Sequence, residues 1–329
     1  MKIDVHAHYV AKDCYNVTDS HGVKVGPTLT TDESGQECFS FDGIKFGEHI
    51  TRLLYDPETR IKDMDRMRVD IQAISISPTN FFYDIDGDLG LIINKKQNDR
   101  IADVVTAYPD RFVGIAGVPM QDIPKAITEL ERAVTQLKFK GVQINTNING
   151  KNLDDAQFMP FFEKVQALDI PILLHPYRVV GAERLRNHFL INLIGNPFDT
   201  TIAVASLIFG GVFERFPKLK VICAHAGGAV PIIKGRWQHA YKHAVVTNFD
   251  LPRPPMEYMR NIYFDTITHY GPALNYLIED HGADRIVMGS DFPYDMGDSD
   301  PLATIENLNL PATLQDRITG ENAISLLKL

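Results

Sequence analysis

Cysteine is scarce in this chain. Cys14, Cys38 and Cys223 are the only three in 329 residues, an odd number without Cys-x-x-Cys spacing. That excludes a disulfide framework and a thiolate zinc site, and fits a reducing cytoplasm. Concentrated positive charge is missing too. The formal net charge is −9, from 33 Lys and Arg against 42 Asp and Glu, and the basic residues nowhere form a block. Nucleic acids and anionic membranes reward a concentrated basic face, so neither is expected as a partner. A small anion held by one or two arginines remains compatible. No apolar stretch is long enough to span a bilayer, and the first residues read as a strand instead of a basic segment with an apolar run behind it. The expectation is a soluble, unprocessed, cytoplasmic protein.

What the chain does contain is core material: 44% of its residues are hydrophobic and 23% charged, with 18 Phe and 12 Tyr. This is a globular composition. Short apolar runs alternate with longer amphipathic ones. Strands are expected at 3–6, 70–76, 112–118, 141–144, 172–175, 219–224, 262–265 and 286–289. Helices are expected at 58–67, 91–108, 124–137, 155–168, 203–216, 230–243, 273–279 and 314–329. Strand then helix, eight times over, reads as an α/β chain forming a (β/α)8 TIM barrel. With no Gly/Ser-rich linker or charge break, residues 1–329 read as one domain. Residues 16–47, polar and Gly-rich, interrupt the rhythm after strand one as an inserted hairpin or lid. A proline-rich connection at 248–255 spaces helix from strand.

In such a barrel the chemistry gathers at the C-terminal ends of the strands. His6 and His8 end the first run, and a period of two sends both side chains to one face. His175 ends Pro171-Ile-Leu-Leu-His175, His225 ends Val221-Ile-Cys-Ala-His225, and Asp291 follows strand eight in Met288-Gly-Ser-Asp291. Singly, each has a bland explanation, since histidines cap strands and Asp after Gly-Ser makes turns. Jointly, strands one, five, six and eight deliver ligand or acid/base residues to one rim. Three imidazoles and a carboxylate suit Zn²⁺ or a similar ion.

The ordered set Ile3-Asp-Val-His-Ala-His8, Arg60-Ile-Lys-Asp-Met-Asp65, Gly117-Val-Pro-Met-Gln-Asp122, His175-Pro176, His225-Ala-Gly-Gly228 and Gly289-Ser-Asp-Phe-Pro293 resembles the amidohydrolase superfamily. The resemblance runs over nearly the whole chain. It is to the branch of 2-amino-3-carboxymuconate-6-semialdehyde decarboxylase and related metal-dependent decarboxylases. It implies that His6, His8, His175 and Asp291 hold one divalent metal, zinc first and manganese second, with His225 and Asp291 catalytic. Gly141-Val-Gln-Ile-Asn145 stands where two-metal relatives carry a lysine, which supports a single ion. The implied activity is a cofactor-free decarboxylation of a small unsaturated or aromatic hydroxycarboxylic acid. The alternatives are a hydrolase or hydratase using a zinc-bound water, and a barrel whose metal is only structural.

For the substrate, the resemblance implies a homodimer in which Arg236 reaches the neighbouring site. Glu48 stands where the named relative has an arginine, and an acid cannot replace a guanidinium against a carboxylate. Lys45, Arg52 or Arg178 are the candidates to compensate, with Arg178 the substrate-binding expectation. His188 or Phe189 occupies the place of a tryptophan.

Overall fold

The computed structural model describes residues 1–19, 21–41, 43–244 and 249–329. Eight parallel strands form one sheet in chain order: β1 Ile3–Tyr9, β2 Ile71–Ile76, β3 Phe112–Ala116, β4 Gly141–Asn145, β5 Pro171–His175, β6 Lys220–Cys223, β7 Ile262–Asp265 and β8 Ile286–Val287. The last strand returns to the first. Val5 N–H donates to Met288 O at 2.9 Å, and His8 N–H to Phe292 O at 2.7 Å. The sheet is thus a nearly closed barrel, with helices around it.

Alternation along the strands sorts side chains into two cores. Ile74, Val142, Ile144, Ile172, Leu174, Val221, Cys223, Phe264 and Ile286 belong to the cluster shared with the helices. Ile3, Val5, Ala73, Ile115, Leu173, Ile222 and Val287 form a separate cluster inside the barrel, plugged below by Leu326 and Leu327 of the terminal helix. Parallel strands buried on both faces read as near-continuous apolar runs, which is why all eight are visible in the sequence.

β1 departs from the simple period. Its pairing with β2 shifts register between Asp4 and Ala7. A one-residue bulge of this kind re-aims the following side chains. Ile3 and Val5 pack inside the barrel, and after the shift Ala7 and Tyr9 join the helix-side core. His6 and His8 therefore take the inner face, which an unbroken alternation from Ile3 and Val5 would have denied them.

Several helices start on an aspartate. Asp56, Asp86 and Asp122 each accept backbone N–H bonds from two or three residues on, and proline follows in the first turn after Asp56 and Asp122. The expected helix at 203–216 is instead two, Asn196–Phe209 and Val212–Arg215. Gly210-Gly211 breaks it, with Gly211 at φ 72°. The expected strand at 286–289 ends at Val287, because Gly289 and Ser290 turn toward β1.

The segment after β1 is more than a hairpin. Thr28–Thr31, Glu37–Phe41 and Ile44–Phe46 make a three-stranded antiparallel sheet, and Val17–Thr18 pairs with Lys24–Val25. Ser20 and Asp42 of the expected lid, and Asn248 of the proline-rich connection, lie outside the described residues. Phe39 is fully buried in a cluster with Val10, Tyr15 and Leu54. Phe46 faces Tyr294 at a ring separation of 5.8 Å, and Phe41 faces Tyr177 at 5.9 Å. The inserted sheet thus packs against the loops that follow β5 and β8.

Candidate metal and catalytic centre

His6, His8, His175 and Asp291 converge at the C-terminal end of the barrel, with one ligand atom from each lying within 4.8 Å of the others. All four are buried. Asp291 Oδ1 stands 2.8 Å from His8 Nε2, 3.3 Å from His6 Nε2 and 3.7 Å from His175 Nε2, while the two Nε2 atoms of His6 and His8 are 3.2 Å apart.

The outward nitrogens explain the inward ones. His6 Nδ1 meets Asp265 Oδ2 at 2.7 Å, His175 Nδ1 meets Pro176 O at 2.9 Å, and His8 Nδ1 faces Ile76 O at a longer 3.4 Å. Held outward through Nδ1, each imidazole directs Nε2 inward, where a bound cation would take the place of any proton, the arrangement a metal ligand requires. His175 Nε2 is buried without a hydrogen-bond partner. Three inward nitrogens, one of them orphaned, around a carboxylate fit a divalent cation.

Charge distribution follows from burial and the two carboxylates. For His6, burial opposes protonation, but Asp291 and Asp265 outweigh it and raise the group to about 10. Burial lowers His8, and burial with the neighbouring imidazoles lowers His175 to about 3. Asp291 is penalised by burial, yet the surrounding imidazoles hold it well below the usual carboxylate range. The cluster therefore keeps its carboxylate ionised, with positive charge favoured at its centre.

His225 follows β6 and sits beside this group. Its Nε2 is 3.4 Å from Asp291 Oδ2, and its Nδ1 is buried without a partner. The backbone at His225 and Ala226 is left-handed, with φ of 53° and 54°. Asp265 holds that turn, accepting the N–H of His225 at 2.9 Å and of Ala226 at 2.7 Å. The same carboxylate also takes His6 Nδ1–H and the N–H of Ile267, so four donors fill its lone pairs. Asp265 ends β7 in Ile262-Tyr-Phe-Asp265. The rule that selected His175 and His225, a polar residue closing an apolar run, selects it as well.

The Gly289-Ser-Asp291 spacing has local causes. A Cβ on Gly289 would lie 2.9 Å from Asp265 Cβ and 3.0 Å from His6 Cβ, so only glycine fits there. Ser290 bonds Asp4, which is fully buried and also accepts His6 N–H at 3.1 Å and Gln72 Nε2–H at 2.8 Å. Arg60, buried behind β1, donates to His8 O at 2.6 Å and Gln72 Oε1 at 2.7 Å, and stacks on Phe292 at 4.7 Å. Burial lowers its guanidinium to about 10.

A cavity of about 380 Å³ opens from His225 and Asp291 past Pro197, Ile232, Ile267 and Tyr276. Among the described residues, no lysine or arginine lines it. Arg178 is paired with Asp84 at 2.8 Å, and Arg52 with Asp56 at 3.0 Å. Lys45 and Arg236 are exposed, and His188 and Phe189 occupy consecutive left-handed positions at φ 58° and 59°.

A family model described as "Amidohydrolase" matches residues 3–329. Among curated proteins, 2-amino-3-carboxymuconate-6-semialdehyde decarboxylase of Dictyostelium discoideum is 35% identical, over 100% of this chain and 92% of its own length. Gamma-resorcylate decarboxylase of Polaromonas sp. is 30% identical, over 85% of this chain and 89% of its own. A solved dihydroxybenzoic acid decarboxylase from Polaromonas sp., with bound manganese and the inhibitor 2-nitroresorcinol, superimposes with a TM-score of 0.83 at 26% identity, covering 100% of this chain and 97% of that one. With its barrel, its strand-end histidines and its match across residues 3–329, this chain belongs to the amidohydrolase family.

Proposed function

We propose that the protein is a metal-dependent decarboxylase, free of organic cofactor, acting on a small unsaturated or aromatic hydroxycarboxylic acid. The observation that carries this reading is the adjacency of His225 to a four-donor cluster of the composition seen here, in a chain whose full-length relatives are decarboxylases. His6, His8, His175 and Asp291 would hold one ion. Nitrogen-rich donors favour zinc, and manganese is the alternative. Bound there, the ion supplies Lewis acidity toward a carboxylate or phenolic oxygen.

The protein's own groups supply the proton chemistry. His225 carries a proton toward the carbon that bears the carboxylate, and that carbon gains a C–H bond. The bond to the carboxylate then breaks, its electron pair restores the conjugated system, and carbon dioxide departs. Asp291 Oδ2, facing His225 Nε2, stabilises the protonated imidazole before transfer. Pro197, Ile232 and Ile267 make much of the cavity wall apolar, which disfavours a charged carboxylate and favours its loss as a neutral gas.

The inserted sheet over residues 16–47 acts in this reading as a lid, fixed by its aromatic contacts to Tyr177 and Tyr294. The chain assembles as a homodimer. Leu193, Ile232 and Tyr276 are exposed apolar residues that also line the cavity, so the site opens onto a surface suited to a partner. Arg236 lies one turn beyond Ile232 on the same helix and is assigned the partner's substrate carboxylate. Arg178 would reach substrate only on leaving Asp84. Incubation of the metal-loaded enzyme with hydroxybenzoates and carboxymuconates, followed by carbon dioxide measurement, tests the activity. Release of carbon dioxide is expected; turnover without it would replace this reading with a hydratase or hydrolase.

A further inference from the structure

We infer that His269 is a substrate-positioning residue, and that the preferred substrate carries a second acidic group at the end remote from the carboxylate it loses. The inference rests on the decarboxylase reading for which end reacts. His225, His269 and Asp291 are the only Asp, Glu, His, Lys or Arg side chains among the described residues lining the cavity. Two of them form the reacting end. The third is exposed, in the loop after β7, and nothing in the proton chemistry uses it.

All three also have a strained backbone, as does Ala226 in the same lining. His225, His269 and Asp291 adopt φ of 53°, 52° and 59°, a region that non-glycine residues occupy at a cost. Such strain persists where surrounding structure enforces it, and it clusters at functional sites. For His269 the enforcement is visible. Asp265 accepts Ile267 N–H at 3.1 Å, Thr268 N–H bonds Thr266 O at 2.9 Å, and Thr268 Oγ1 donates to Tyr270 O at 3.1 Å. The carboxylate that orients His6 and His225 therefore also anchors the turn that carries His269. An imidazole held at the mouth of a cavity to which the described residues of its own chain bring no lysine or arginine suits an anionic or hydrogen-bond-accepting substituent, beside any contact from Arg236 of a partner.

Binding and turnover of wild type, His269→Ala and His269→Gln decide this. Benzoate and benzene-1,3-dicarboxylate serve as calorimetric probes, and hydroxybenzoates with and without a second carboxylate as substrates. Wild type should bind the dicarboxylate at least about tenfold more tightly than benzoate. His269→Ala should erase that preference, and His269→Gln, which keeps a hydrogen-bond donor, should recover part of it. In turnover, KM for the diacid should rise by the same factor while kcat stays within about threefold. Equal binding of the two probes by wild type, or an unchanged preference in His269→Ala, overturns the inference. Absence of carbon dioxide from every acid, with the binding preference and its loss intact, would instead sink the decarboxylase reading and leave the role of His269 in binding standing.

Discussion

The two ends of the barrel interior are built from opposite materials. Below, Ile3, Val5, Ile115, Leu173, Ile222 and Val287 meet Leu326 and Leu327 with hardly a polar atom among them. Above, at or just past the ends of strands of the same sheet, stand three histidines, Asp291 and Asp265, each buried and each tied by hydrogen bonds or charge to others of the group. The lower end gains stability from apolar burial, roughly 25 cal/mol per Å² removed from water. The upper end loses stability to desolvation, offset by paired charges and full hydrogen bonding. Stability and chemistry are therefore separable along the strand direction, as this barrel architecture permits.

Substitutions that act at one end only can break that separation. The largest effect is expected at His225. His225→Ala should lower kcat by roughly 10²–10⁴ while the metal content per chain stays constant. The His6→Ala, His8→Ala double variant should lose metal and activity together, with an unchanged far-UV circular dichroism spectrum. Loss of the fold in either case would mean that the upper end is structural.

Next comes the floor. Leu326→Ala should cost about 2–5 kcal/mol in denaturant unfolding, the range for large-to-small core changes. Its kcat per folded molecule should match wild type, and a fallen kcat would show that the ends are coupled. A smaller change is expected from Asp265→Asn, which keeps the shape but turns donors toward donors. Metal affinity should fall by about 10–100-fold, as for other second-layer partners of a ligating histidine. Competition against a chromophoric chelator reads this directly.

The smallest effect lies outside both ends. Asp169 bonds Lys220 at 2.8 Å and also pairs with Lys328, tying β6 to the chain's last residues. These lysines lower its carboxyl to about 2. The folded value lies below an unfolded one of about 3.9, so the stabilisation is present above that value and lost as the pH falls toward 2. Asp169→Asn should cost less than about 1 kcal/mol at pH 7, since the pair is half exposed, and nothing near pH 2. Asparagine tolerates the left-handed backbone at this position, φ 51°, so the difference isolates charge.

The upper end was legible in the sequence wherever a polar residue closed an apolar run. His6, His8, His175, His225 and Asp291 all meet at the rim for that reason, and the eight strands appear because each is a short, mostly apolar run set between longer amphipathic ones. Asp265 obeys the same rule, but a carboxylate at a strand end carries no motif of its own that marks it out. The bulge in β1 leaves no mark in composition, since it is a matter of pairing with β2. That no arginine among the described residues lines the cavity is equally invisible in the sequence. Whether a long side chain points inward, as Arg60 does beneath β1, or out to Asp84, as Arg178 does, depends on packing that no local pattern encodes.

The register shift in β1 has a consequence for how this protein can vary. Exchanging residue types along the strand leaves the count from Asp4 to His8 intact, and with it the direction of both imidazoles. Deleting Val5 would remove the bulge and leave a regular strand with both imidazoles still inward, at the cost of one apolar side chain from the barrel floor. The extra residue thus lets a single strand give Ile3 and Val5 to the floor and His6 and His8 to the rim on one face, an economy held in length that screens limited to point substitutions would never test.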